Sequence, residues 1–202
     1  MLLPLMYNSP KINTSKMRDN YAGQLLIAQP KCKSGFFSEA VILMVEHSTH
    51  GAWGLQINKE VSTIKTDTLA QTVGVDLTEE HSKPVLLGGP VETTSLHFIH
   101  TPECVMSSTI EINEGLCVTS DPIMFHELRN GRGPAKWKLV MGVSGWTGEQ
   151  LEGEMSGLHP WTPEHRWLTL PAPNRYLLDL DVKSMWKGMV TQCIEQATAN
   201  FF

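Results

Sequence analysis

Apolar residues along this chain fall into short runs separated by polar breaks, and the runs differ in period. Gly23 to Ala28, "GQLLIA", is a brief apolar run stopped by Pro30 and predicts a strand. Ala40 to His47, "AVILMVEH", is apolar at consecutive positions and rich in β-branched residues, the pattern of a strand covered on both faces. The next run, "AWGLQIN", alternates instead. Trp53, Leu55 and Ile57 share one face, and Ala52, Gly54, Gln56 and Asn58 the other. Only Ser48 to Gly51 separate the two runs, so an antiparallel hairpin is expected, with Gly51 free to take a positive φ. Gly54 inside a strand implies a bulge or a close neighbour.

Further along, "TIKTDTLAQTVGV" predicts a short helix capped by Thr66 or Asp67 and stopped by Gly74. "KPVLLGGPVE" predicts a strand running into a Gly-Gly-Pro turn, and "SLHFIHT", "SSTIEIN" and "GLCVTS" predict further strands. Asp121-Pro122 opens a helix ending near Gly131, with Asp121 as N-cap and proline at the first helical position. "KWKLVMGVSGW" predicts a second fully apolar strand. "GEQLEGEMSGL" predicts a helix with Leu151, Met155 and Leu158 inward, and "HRWLTLP" a strand. The last helix is capped by Asp181. Its stripe runs through Val182, Met185, Trp186, Met189, Val190, Cys193, Ile194 and Ala197. Regular βαβ alternation is missing. The expected class is therefore α+β: a mixed, largely antiparallel sheet, open or curled into a barrel, covered by a few helices. The first 20 residues predict a flexible arm, and residues 21–202 a single domain.

Composition narrows the function classes. Charged residues make up 18% of the 202-residue chain and the formal net charge is -5. Its densest basic positions, Lys31 with Lys33 and Lys136 with Lys138, are sparse, so neither direct nucleic-acid binding nor an anionic membrane surface is expected. The four cysteines, Cys32, Cys104, Cys117 and Cys193, form no C-x-x-C pair and predict separate thiols in a reducing cytoplasm. The N-terminal "MLLPLM" lacks a basic region before it and does not predict a signal peptide. No metal or cofactor is expected.

Chemistry-bearing residues are few. Glu46-His47 closes a strand, where neighbouring side chains diverge unless the strand breaks. His97 and His100 form H-x-x-H, again in a strand context that separates them. "GVSGW" places Ser144 at a strand end, although its second glycine falls one place early for a nucleophile elbow. Gly88-Gly89-Pro90 is a tight turn that could leave amides for an anion. Gln150 and Glu154 share a helix face, and Trp146 and Trp161 bracket that helix as packing anchors. Small or polar residues gather at strand ends: Gly54, Gln56, Asn58, Gly88, Gly89, Gly142 and Ser144, with Gln150 nearby. They are the candidates for lining a ligand groove.

Taken in order, "GQLLIAQP", "VEHSTHGAWGLQIN", "GGPV" followed by "FIH", "TSDP", "GVSGWTGEQLEGE" and Trp161 resemble the AlgH/YqgE family of bacterial proteins. Two departures stand out: Glu149 replaces the family's glycine before Gln-Leu-Glu, and His159 replaces an asparagine before the later tryptophan. The resemblance implies a cytoplasmic α+β protein carrying the family label of transcriptional regulator, and it brings no catalytic residues. The expected function is regulation through a protein or small-molecule partner. The alternatives are a hydrolase-like enzyme, using Glu46, His47 and His100 with Asp121 assisting, and a direct DNA binder.

Overall fold

The computed structural model describes residues 20–32, 35–157 and 167–199. Ten strands form one sheet: β1 (Gln24–Ala28), β2 (Val41–Ser48), β3 (Gly51–Gln56), β4 (Glu60–Lys65), β5 (Pro84–Leu87), β6 (Val91–His100), β7 (Ile110–Asn113), β8 (Leu116–Thr119), β9 (Trp137–Thr147) and β10 (Trp167–Pro171). Four helices accompany them: α1 (Thr66–Thr72), α2 (Met124–Arg129), α3 (Gln150–Ser156) and α4 (Met185–Ala199). The main path runs β10-β1-β2-β3-β9-β6-β8-β7, with β5 on β9 and β4 on β5. All these pairings are antiparallel except β5 with β9.

The consecutive apolar residues of β1 and β2 serve two cores. Leu25, Ile27, Val41, Leu43 and Val45 enter the central cluster, roofed by Leu177, Met185 and Met189. Leu26, Ala28, Ile42 and Met44 enter a second cluster with Leu151 of α3. A third cluster buries Ala70 of α1 and Met124, Phe125 and Leu128 of α2 against Phe98 and Leu139. The sheet curls without closing. At its two ends the Asn113 side-chain amide donates to the Ala172 carbonyl (3.2 Å), and among the described residues no strand ladder joins β7 to β10.

Several local expectations shift. Residues 63–65 lie in β4, which pairs with β5 at Glu60, Val61 and Lys65, and α1 begins at Thr66, one residue before the start that a Thr66 cap would set. Thr66 does not cap; its buried hydroxyl donates to the His81 carbonyl and accepts the Lys83 N–H (2.9 Å). Asp121 accepts from Ile123 N–H through its carboxylate (2.9 Å) and from Met124 N–H through its carbonyl (3.1 Å), so α2 starts three residues later. Asp181 similarly holds Ser184, and α4 starts at Met185, beyond Val182. Only the first half of the α4 stripe is covered: Met185 and Met189 are buried, whereas Ile194 is 58% exposed. Leu158, His159 and Trp161, and all but the last residue of the expected arm, lie outside the described residues.

The glycine-rich strand ends have a single cause. β3 and β5 share one edge of β9: β5 lies beside Val140 and Met141, and β3 beside Ser144 to Thr147. Where one strand hands over to the other, backbones touch. A Cβ on Gly88 would sit 2.1 Å from the Gly142 carbonyl oxygen, and one on Gly89 2.0 Å from that of Val143. Gly142 itself adopts φ +78, an irregularity that lets Val140 and Val143, three apart, enter the same core.

Candidate functional site at the β2–β3 hairpin

Residues 42–48 of β2 pair with 51–56 of β3, and the ladder slips between Met44 and Glu46. That bulge decides where the acid and the histidine go. Glu46 now lies opposite Trp53 and His47 opposite Ala52, on different faces. On the Trp53 side, the indole N–H donates to the Glu46 carboxylate (2.8 Å). On the other side, His47 Nδ1 accepts the Tyr21 backbone N–H (3.2 Å), and Nε2 lies 3.0 Å from Glu152 Oε1 of α3. The strand breaks at the bulge, yet the two side chains still diverge. Among the described residues no three His, Cys, Asp or Glu side chains gather as a metal site.

Around the hairpin tip lies an open hollow of roughly 600 Å³, lined among others by Val45, Glu46, His47, His50 and Trp53. One wall is the Trp53 indole, whose orientation Glu46 already fixes.

The groove candidates do come together, but as a filled junction. Gly54 pairs with Ser144, the Gln56 N–H donates to the Gly88 carbonyl (2.8 Å), and the Ser144 hydroxyl donates to the same oxygen (2.9 Å). Gly88 N–H is taken by Met141. Ser144 is fully buried and Gln56 is 1% exposed. Asn58 accepts the Val41 N–H (2.8 Å) and donates to the Glu39 carbonyl (2.8 Å), tying the strand ends. One polar atom stays unpartnered there, Gln56 Oε1. Gln150 belongs elsewhere: it accepts the Thr147 N–H (3.1 Å) and donates to Glu154 (3.0 Å).

His100 has no part in the hairpin. It is fully buried, within reach of the Thr101 carbonyl (2.8 Å) and the Thr119 hydroxyl (2.7 Å), and burial pushes its pKa below the ordinary value of 6.5. Glu46, His47 and His100 therefore share no hydrogen-bond partner. Asp121 is spent on starting α2. His97, on the opposite face from His100, packs its ring against Trp53, centroids 5.4 Å apart, and bonds to Ser95 (3.0 Å) and Ser120 (2.8 Å). Burial lowers its pKa as well, with Glu92 opposing.

Sequence reasoning missed three partners: Glu152 for His47, Glu154 for two indoles, and Ser120 for His97. Glu154 accepts from Trp146 Nε1 (3.0 Å) and Trp167 Nε1 (2.9 Å). The only forewarning was compositional, since acids at Glu152 and Glu154 are equally natural as a solvated helix face.

Comparison with known proteins gives a consistent result. The AlgH protein from Pseudomonas aeruginosa, solved in solution, superposes with a TM-score of 0.69 at 27% identity, covering 87% of this chain and 90% of that one. A crystal structure from Corynebacterium diphtheriae, at 19% identity and a TM-score of 0.61, shares the fold and covers 89% and 92% of the two chains. Among curated relatives, a UPF0301 protein of Shewanella baltica is 30% identical over 174 residues, covering 83% of this chain and 88% of its own. One from Xanthomonas campestris pv. campestris is 31% identical over 168 residues, covering 82% and 85%. The AlgH-like family profile matches residues 25–197, and the chain belongs to the AlgH-like family.

Proposed function

We propose that this chain is a regulatory binding protein that receives a protein segment or small molecule in the hollow at the β2–β3 hairpin. One observation carries the reading: Trp53 stands at that hollow with its indole held by Glu46 at 2.8 Å. An aromatic side chain fixed before contact loses little freedom on binding, and such residues dominate interface energetics. The filled glycine junction leaves the hairpin, not the strand handover, as the open surface.

The family label of transcriptional regulator is read here as indirect, through a partner. A net charge of -5 favours a partner surface over phosphates. The cytoplasm is the proposed compartment, supported by four cysteines at spacings that form no C-x-x-C pair. No helix among the described residues is long and apolar enough to cross a membrane.

Native mass spectrometry of the full chain purified from bacterial lysate tests the reading. A species retained by the native protein and released by Trp53→Ala and by Glu46→Ala supports it. Species retained equally by both variants place binding elsewhere and refute it.

A further inference from the structure

Beyond the binding hollow, we infer that Ser120 is a nucleophile and His97 its proton acceptor, forming a site for acyl transfer from small carboxylic esters. The hydrogen-bond directions set the arrangement. The Ser95 hydroxyl donates to the Glu92 carbonyl (2.9 Å), so its oxygen is left to accept from His97 Nε2, 3.0 Å away. A neutral imidazole with its proton on Nε2 has a bare Nδ1. That nitrogen lies 2.8 Å from Ser120 Oγ, which donates to it. Nucleophile, base and base-orienting group thus stand in one line, the relationship that activates a serine hydroxyl.

Three independent features point the same way. First, Ser120 is exposed while His97 is 7% exposed, so an incoming ester reaches the oxygen and the base stays dry. Second, Ser120 sits between the end of β8 and the start of α2, a turn that holds its hydroxyl at the surface. The N–H of Asp121, next along the chain, donates to no described residue and is available to a developing oxyanion. Third, Glu92, whose carbonyl begins the relay, holds φ +43, an uncommon conformation for a residue with a side chain. Burial also keeps His97 in the neutral form needed to accept a proton.

In the reaction, Ser120 Oγ bonds to the ester carbonyl carbon as its proton passes to His97 Nδ1. The carbon–oxygen bond to the leaving alcohol then breaks, and that oxygen takes the proton from His97. Water, losing a proton to the same nitrogen, attacks the acyl-serine and releases the acid, with the proton returning to Ser120. The two residues come from the motifs "SLHFIH" and "TSDP"; neither lines the hairpin hollow, although the His97 ring packs behind Trp53.

The test uses the full chain and p-nitrophenyl acetate. Release of p-nitrophenolate and peptide mapping of acid-quenched samples are followed in the native protein, Ser120→Ala, His97→Gln and Ser95→Ala, each checked for fold by near-UV circular dichroism. The expected result is acetyl on Ser120, loss of release in Ser120→Ala, and a fall of at least about 100-fold in His97→Gln. Ser95→Ala, which frees the imidazole to change tautomer, is expected to lower the rate while leaving Ser120 the acylated residue. Unacetylated Ser120 in the native protein, or acetylation equally fast in folded His97→Gln, overturns the inference. Either failure leaves the binding reading of the hairpin untouched.

Discussion

His47 Nε2 lies 3.0 Å from Glu152 Oε1, joining the end of β2 to α3 across 105 positions of sequence. Because Nδ1 already accepts the Tyr21 N–H, the neutral ring carries its proton on Nε2 and donates it to Glu152. The histidine side chain is 1% exposed and the glutamate 41%. His47→Ala strips a partner from the buried side and is expected to cost about 1–3 kcal/mol. Glu152→Gln, which keeps an oxygen to accept the Nε2–H of the buried ring, is expected to cost less, about 0–1 kcal/mol. Urea unfolding of both variants checks the order; equal costs would contradict it.

Glu154 holds the other side of α3. Its Oε2 accepts from both Trp146 and Trp167, and its Oε1 from Gln150. Glu154→Ala leaves two indole N–H groups without an acceptor and is expected to cost about 2–4 kcal/mol. Glu154→Gln keeps one carbonyl oxygen for the indoles but turns an amide toward the Gln150 amide, so an intermediate loss is expected. Denaturant midpoints and tryptophan fluorescence report both.

The strand handover and the last helix give opposite expectations for the same substitution. Gly89→Ala puts a methyl 2.0 Å from the Val143 carbonyl oxygen, so backbone must move, at a cost of at least about 2 kcal/mol. Gly188→Ala, exposed within α4 with nothing within 4 Å of the new methyl, is expected to stabilise by up to about 1 kcal/mol. Thermal unfolding of the pair separates the two.

The strands were readable because Leu25 to Ala28 of β1 and Val41 to Val45 of β2 are apolar at consecutive positions and β3 alternates. The hairpin followed from the shortness of Ser48 to Gly51. β4 was hidden because Thr63 to Lys65 also fit a helix start. The bulge at Met44 to Glu46 lies opposite Gly54, the glycine that pointed to a bulge or a close neighbour, but no residue type says that it puts Glu46 opposite Trp53 and His47 opposite Ala52. The glycine cluster was rightly placed together, but a groove and a backbone contact demand the same residues. His97 with Ser120 depends on two strands meeting in register, beyond any local pattern.

Acid should destabilise the fold through His97 and His100. Burial lowers both pKa values from 6.5. The unfolded chain therefore binds protons first as pH falls, and stability present above about 6.5 declines from there through the lower native values. Chemical denaturation from pH 8 to pH 5 should show that decline, and His100→Gln should flatten it if the fold accepts the amide. A stability rising as pH falls below 6.5 would reverse the sign and contradict the burial of both rings.

The hairpin hollow is tested most directly by ¹⁵N NMR of the full chain, titrated in turn with a fragment library and a short-peptide library. The account predicts that binders shift the Trp53 indole N–H and the amides from Ser48 to Ala52, and lose affinity for Glu46→Ala. Binders that shift α4 or the α2 region while those hairpin signals stay fixed would contradict it.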